Sequence, residues 1–98
     1  MDVTVHVVIR GRVQGVGFRA WTEVTALERR LQGWVRNRRD GAVEALFIGL
    51  EADVLAMIED CRCGPPGGRV EFVDHREAGP AEVALRRRDE LFSVLGTI

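Results

Sequence analysis

Residues 33–50 read "GWVRNRRDGAVEALFIGL", and the predicted sheet is built around this stretch. The residues before Asp40 alternate between apolar and polar, which is typical of a strand with one buried face. The Asp40–Gly41 pair then predicts a tight hairpin turn, because glycine reaches the positive φ that such turns need. The apolar run that follows Gly41 continues as the partner strand. We therefore expect two antiparallel strands in the middle of the chain.

A predicted helix lies on each side of this hairpin. Residues 20–31 repeat apolar side chains at three- and four-residue steps, which predicts an amphipathic helix whose buried face is formed by Trp21, Val24, Leu27 and Leu31. Gly33 follows where a helix C-terminal glycine belongs. Residues 50–63 carry acidic residues early and an apolar side formed by Val54, Leu55, Ile58 and Cys61, and the sequence GPPGG at 64–68 ends this second helix.

Outer strands complete the pattern. Residues 3–10 place Val3, Val5, Val7 and Ile9 on one face of an extended segment, and residues 69–78 alternate less regularly. A short last strand is expected near residues 91–95. The order predicts an α+β fold, a ferredoxin-like βαββαβ sandwich with two helices on one face of an antiparallel sheet and a short extra C-terminal strand. We expect residues 1–98 to form a single domain.

Composition excludes several functional classes. The 98 residues carry a net charge of −1, which argues against capture of nucleic acid or an anionic membrane surface by bulk electrostatics. No apolar run has the length of a membrane span, so we expect a cytoplasmic location. We also expect a monomer. All 14 basic residues other than His are Arg, which excludes a Walker-type lysine and Schiff-base chemistry. The only serine, Ser93, lacks the context of a serine nucleophile.

Metal and redox chemistry are not expected either. His6 and His75 stand alone, without the spacing of metal ligands. Cys61 and Cys63 are one residue apart, which suits neither a disulfide nor a zinc site, so we interpret them as reduced thiols. The sequence predicts no metal and no cofactor.

Residues 11–18 connect the first strand to the first helix, and Arg19 stands at the helix entry. The first amides of a helix lack partners and carry the positive end of the helix dipole. Gly15 and Gly17 allow successive N–H groups to turn inward, and Arg19 adds a planar charged fork for anionic oxygens. From spacing alone, a plain glycine turn with a solvated arginine remains an equal alternative.

Two motifs carry a family resemblance. "GRVQGVGFR" at 11–19, with Trp21–Thr22 after it, resembles the signature of the acylphosphatase family, and "GWVRNRRDGAVE" at 33–44 resembles its second motif. The resemblance implies hydrolysis of small-molecule acyl phosphates without metal or cofactor. It also implies roles for individual residues: Arg19 binds the phosphoryl group, Asn37 positions the attacking water, and the phosphate is cradled by Gln14, Gly15, Val16, Gly17, Phe18 and Arg19.

Two alternatives stay open. One is a non-catalytic or carbamoyl-phosphate-handling module of the same family. The other is an RNA-binding domain, because the RRM shares the βαββαβ order, although it requires aromatic residues on the central strands and a basic surface. Two smaller questions also remain. Thr22 is a candidate for supporting the loop, and the sequence at 87–98 lacks the family's tyrosine, which leaves the register of the last strand open.

Overall fold

The computed structural model describes all 98 residues. Its elements are β1 (Asp2–Arg12), α1 (Phe18–Glu28), β2 (Gln32–Asn37), β3 (Val43–Leu50), α2 (Glu51–Cys63), β4 (Arg69–Glu77), α3 (Pro80–Val83) and β5 (Phe92–Val94). The sheet order is β4-β1-β3-β2-β5. The first four strands are antiparallel to their neighbours, as the ferredoxin-like prediction requires. The added strand β5 runs parallel to β2, so the complete sheet is mixed. No helix is long and apolar enough to cross a membrane.

One face of the sheet packs against α1 and α2 and contains the main core. The alternation predicted for β1 is confirmed, since Val7 and Ile9 are fully buried there and Val3 and Val5 pack against the same cluster. Cys61 lies in this core as a free thiol, and burial raises its pKa to about 12. Such a thiol stays protonated and is a poor nucleophile at neutral pH.

The predicted faces of the two helices are partly wrong. In α1, Val24 and Leu27 are 57% and 43% exposed, whereas the buried residues are Phe18, Thr22 and Ala26. The reason is that α1 begins at Phe18, two residues before the predicted start, and this buried ring fixes the rotation of the helix. Small residues at four-residue steps then face the sheet. In α2, Leu55 is likewise 53% exposed, and Met57 takes the buried position instead.

The irregular alternation of β4 has a structural cause. The pairing of β4 with β1 shifts between Arg10 and Gly11, so that Val73 pairs with Ile9 and Val70 with Gly11. Glu71 is the extra residue of this bulge, and it brings Val70 and Val73 to the same face of the sheet. Both side chains therefore pack against the helix-side core.

The other face of the sheet is covered by the connection between β4 and β5, residues 78–91, which contains the unpredicted helix α3. The Trp34 indole N–H donates to the Glu82 carbonyl at 2.7 Å. Beside it, His6 Nε2 lies 2.6 Å from Glu44 Oε2, and Arg36 Nε donates to Glu44 Oε1 at 2.6 Å. Burial by itself raises the pKa of Glu44, but these two hydrogen bonds outweigh it and hold the pKa below its ordinary value.

Glu82 fixes this connection in place, and it makes the free energy of unfolding depend on pH in the acidic range. Two hydrogen bonds from Arg76, at 3.0 and 2.6 Å, and one from the Gly79 amide lower the pKa of Glu82 from 4.5 to about 2. The unfolded chain therefore takes up a proton at this position first as the pH falls. We expect the free energy of unfolding to decrease as the pH drops from 4.5 towards 2, and Glu82→Gln to remove part of that decrease.

Urea unfolding at pH 6, 4 and 3 checks this expectation. Glu77→Gln is the matched control, because Glu77 is exposed at the end of β4 and forms no salt bridge. An equal pH dependence in the wild type and Glu82→Gln would contradict the role given to Glu82.

Candidate active site

A pocket of about 350 Å³ opens where the β1–α1 loop, residues 13–17, meets the end of β2. Three elements converge there, because β1 and β2 both pair with β3 and α1 starts directly after the loop. The lining residues come from the loop, the first turns of α1, and strands β2 and β5: Val13, Gln14, Gly15, Gly17, Phe18, Arg19, Ala20, Glu23, Asn37 and Val94.

The loop presents a run of free backbone donors. The seven N–H groups from Gln14 to Ala20 donate no hydrogen bond within the chain, and the first donor of α1 that does is Trp21, to the Gly17 carbonyl at 3.0 Å. Backbone N–H groups in folded proteins are nearly always paired with protein or solvent. Successive free donors at the positive end of a helix form a site for an anion.

Two glycines give the loop its shape. Gly15 and Gly17 have φ of 75° and 79°, in the left-handed region that other residues rarely adopt. A Cβ at either position would meet no atom within 4 Å, so neither glycine is required by packing against the protein. Their role is conformational: they turn the chain so that the loop amides and the start of α1 border one open space.

Side chains of the loop and of Phe18, the first residue of α1, hold the loop in place from three sides. The Gln14 amide nitrogen donates to the carbonyls of Arg38 at 2.7 Å and Ala42 at 2.9 Å, which ties the loop to the β2–β3 hairpin. Val16 is partly buried against the core. Phe18 is buried and packs edge-on against Trp21, with ring centres 5.3 Å apart. These contacts anchor the loop to the hairpin and to the core, and donors held in place in this way are what strong electrostatic stabilisation requires.

Arg19 supplies the only positive side chain that lines the pocket. It is the second residue of α1, it is half-buried, and it forms no salt bridge with any carboxylate. Arg29, Arg36 and Arg76, in contrast, each pair with an acidic side chain. An arginine kept free beside unpaired amides is available to grip two oxygens of one anion.

Asn37 brings an unpaired acceptor to the same pocket. Its Oδ1 is buried and accepts no hydrogen bond from the protein. The side chain points to the helix side of the sheet, as that of Val35 does two residues earlier. A buried polar atom without a partner is costly, and such atoms occur where a ligand or water completes the site. Asn37 can therefore hold a water molecule beside an anion bound at the loop.

The C-terminal residues fix the backbone of Asn37 from its other side. Beyond β5, the Ile98 N–H donates to the Asn37 carbonyl at 3.0 Å, and the Arg39 N–H donates to the Ile98 carbonyl at 2.8 Å. Val94 reaches the wall of the pocket. The last residues of the chain therefore lie beside the pocket.

Most residues predicted from the sequence meet in this one pocket. The exception is Val16, whose side chain packs away from the pocket, although its amide belongs to the free run. The Thr22 hydroxyl donates to the carbonyl of Phe18, the first residue of α1, at 2.8 Å, so its hydrogen bond is made where the loop enters the helix. Four lining residues were missed: Val13, Ala20, Glu23 and Val94. Only Glu23 had a sequence signal, since it follows Arg19 at helical i, i+4 spacing.

A larger cleft of about 500 Å³ lies elsewhere, lined in part by residues of β1, α2 and β4. It contains neither a run of free amides nor a buried unpaired acceptor. Nowhere in the chain do three or more His, Cys, Asp or Glu side chains come together in a group that could hold a metal ion. The smaller pocket is therefore the better candidate for chemistry.

The position of Gln14 gives a prediction about the loop. We expect Gln14→Ala to lower the free energy of unfolding by about 1–2 kcal/mol, because two hydrogen bonds to the hairpin are lost. We also expect weaker binding of inorganic phosphate, since the loop amides lose their support. Urea unfolding and phosphate titration measure the two effects. Gln32→Ala, at an exposed glutamine of β2, is the control. Unchanged stability and binding in Gln14→Ala would contradict the anchoring role.

Comparison with known proteins relates the chain to the acylphosphatases. The Acylphosphatase family model matches residues 5–87. An acylphosphatase from Bradyrhizobium diazoefficiens is 57% identical, over 95% of this chain and 94% of its own length. The crystal structure of an acylphosphatase from Bacillus subtilis superimposes with a TM-score of 0.82 at 35% identity, covering 97% of this chain and 99% of the other. Full-length HypF, in a phosphate- and nucleotide-bound form, also matches at a TM-score of 0.82 and 28% identity, but over only 12% of its chain.

Proposed function

The chain belongs to the acylphosphatase family, and we propose that its reaction takes place in the pocket between the β1–α1 loop and Asn37. The enzyme hydrolyses the carboxyl–phosphate bond of small acyl phosphates. In the proposed site the loop amides and Arg19 hold the phosphoryl group, and Asn37 positions the attacking water. The observation that carries this assignment is the meeting of free amides, a free arginine and an unpaired buried acceptor in one pocket.

Binding of the phosphoryl group is the first task. Phosphoryl transfer asks a protein mainly to position the reactants and to compensate the charge spread over the equatorial oxygens. The N–H groups of Gly15 to Phe18 and the Arg19 guanidinium supply that compensation without moving, because the loop is already anchored. One preorganised donor aimed at a developing negative charge contributes about 2.7–4 kcal/mol. Several such donors can provide much of the rate enhancement.

Attack by water is the second task. The Asn37 amide accepts a hydrogen bond from water through Oδ1 and cannot take up its proton. The carboxylate is a good leaving group, so no strong base is needed. The water oxygen bonds to phosphorus while the bond from phosphorus to the carboxyl oxygen breaks. A phosphate oxygen accepts one water proton, and the dianionic acyl phosphate and water become a carboxylate and dihydrogen phosphate, each with one negative charge.

Hydrolysis of benzoyl phosphate by the purified protein in excess chelator tests this function directly. We expect turnover well above the spontaneous rate, with competitive inhibition by inorganic phosphate, because product and substrate share the phosphoryl subsite. Hydrolysis no faster than in buffer would overturn the proposal. Dependence of the rate on an added divalent metal would contradict the part of it that assigns all charge compensation to the loop and Arg19.

The alternatives are less well supported. The similarity to HypF covers a small fraction of that protein, whereas the chain matches the acylphosphatases along nearly their whole length. An RRM-like use of the sheet requires an open outer face with aromatic residues. Here that face is covered by residues 78–91 and carries the Glu44 carboxylate. We therefore propose that the partner is a small acyl phosphate and not a nucleic acid.

We further propose that residues 1–98 act as one domain, as a monomer in the cytoplasm, without a cofactor. The groups proposed to bind the phosphoryl group and to position water, which are the loop amides, Arg19 and Asn37, all belong to one chain. Sedimentation velocity measures the oligomeric state, and a dimer at assay concentration would contradict this part of the proposal.

A further inference from the structure

The pocket contains one negative side chain, Glu23, which the phosphoryl-transfer mechanism does not use. Glu23 is half-buried, it lines the pocket, and it forms no salt bridge or hydrogen bond with the protein. An unpaired carboxylate beside a site for a dianion weakens binding of that dianion. Binding of the phosphoryl group therefore does not explain why this carboxylate lies in the pocket.

Glu23 lies one helical turn beyond Arg19. At a rise of about 1.5 Å per residue, four residues separate the two positions by about 6 Å along the axis of α1. The order with Arg first and Glu four residues later is the less favourable one for an ion pair within a helix. This order is consistent with the absence of a salt bridge between Arg19 and Glu23, so both side chains are unpaired and available to a ligand.

The acyl part of the substrate contacts the lining residues that the phosphoryl group and the water do not occupy. Once the phosphoryl group occupies the loop amides and Arg19, and water occupies Asn37, the remaining lining residues are Val13, Ala20, Glu23 and Val94. Three of these are small and apolar. Glu23 is therefore the only charged group that an acyl substituent can meet inside the pocket.

We propose that Glu23 is a specificity-determining residue that selects acyl phosphates by the charge of the acyl group. This inference rests on the proposed function. A second negative charge on the acyl part is repelled by Glu23, a neutral acyl group is accepted, and an acyl group with a positive charge is attracted. The enzyme accordingly prefers neutral or cationic acyl phosphates to those derived from dicarboxylic acids.

A rigid series of substrates tests this preference. Benzoyl, 4-carboxybenzoyl and 4-(trimethylammonio)benzoyl phosphate differ in charge at the same position of the ring. The substituents also change the leaving group, but that effect is the same in every variant and cancels when ratios are compared. The variant is Glu23→Gln, which keeps the size of the side chain and removes its charge. Glu28→Gln is the control, because Glu28 lies on the same helix, is exposed and does not line the pocket.

We expect Glu23→Gln to raise kcat/KM for the carboxylated substrate relative to benzoyl phosphate by about threefold to tenfold, and to lower it for the cationic substrate relative to benzoyl phosphate. Both shifts should shrink at high salt, since they are electrostatic. Equal ratios in the wild type and Glu23→Gln would overturn the inference. Equal shifts in Glu28→Gln would also overturn it, because they would reflect net charge alone.

Binding of two phosphonates separates this inference from the function itself. We expect the wild type to bind benzylphosphonate more tightly than 4-carboxybenzylphosphonate, and Glu23→Gln to reduce that difference. Failure of benzoyl phosphate hydrolysis together with the expected phosphonate preference would remove the proposed reaction and leave the charge selection standing. Hydrolysis of benzoyl phosphate with an unchanged phosphonate preference in Glu23→Gln would support the proposed reaction and overturn the charge selection.

Discussion

Replacing Arg19 with Gln is expected to lower kcat/KM for benzoyl phosphate by about 10³-fold, because it removes the only positive side chain in the pocket. Inorganic phosphate should inhibit the variant at least about tenfold less well, since charge-assisted hydrogen bonds to the phosphoryl oxygens are lost from bound ligand as well as from the transition state. Steady-state kinetics with and without phosphate measure both effects. The free energy of unfolding should change little, because Arg19 forms no salt bridge in the folded chain.

Two further variants sharpen this expectation. Arg19→Lys keeps the charge but loses the planar fork, so its activity should lie between those of the wild type and Arg19→Gln. Arg12→Gln removes an equal charge from an exposed residue that does not line the pocket, and it should retain nearly full activity. If phosphate inhibits Arg19→Gln as strongly as it inhibits the wild type, Arg19 does not bind the phosphoryl group.

Replacing Asn37 with Ala is expected to separate turnover from binding. We expect kcat to fall by about 10²-fold or more, because the attacking water loses the acceptor that orients it. The inhibition constant of phosphate should stay within about threefold of the wild-type value, since the loop amides and Arg19 are intact. Measuring kcat and phosphate inhibition on the same preparation tests both parts. The contrast with Arg19→Gln, where both quantities change, distinguishes a residue that positions water from one that grips phosphate.

The folded state should tolerate the loss of Asn37. Its Oδ1 has no partner in the protein, so Asn37→Ala removes a desolvated polar atom and should not lower the free energy of unfolding by more than about 1 kcal/mol. Gln32→Ala, at the other end of β2, serves as the control for substitution within this strand. Unchanged kcat in Asn37→Ala would mean that another group positions the water.

Much of the fold could be predicted because it depends on local signals. Alternation in β1, the Asp40–Gly41 turn and Gly64 at the end of α2 all act within a few residues, and the strand and helix order followed from them. The prediction that Gly33 ends the first helix is wrong: α1 ends at Glu28, and Gly33 lies in β2, where it pairs with Phe47. The faces of the helices could not be predicted equally well. Val24 and Leu55 have the spacing of buried residues but are exposed, because the rotation of each helix is decided by contacts with the sheet, to which residues distant in sequence contribute.

Three features could be read from the order of the residues alone: the loop with its two glycines, the charge of Arg19 at the helix entry, and the family to which the motifs belong. These features depend on backbone conformation and residue type, which are local properties. Three other features arise only when the chain folds. The unpaired Asn37 Oδ1 comes to the pocket beside that loop, Gln14 bonds to the hairpin 24 to 28 residues away, and residues 95–98 align with the end of β2. The proposed role of Glu23 likewise depends on its position in the folded pocket. The physical reason is that a catalytic site requires groups from separate elements to converge, and convergence is fixed by sheet pairing and core packing.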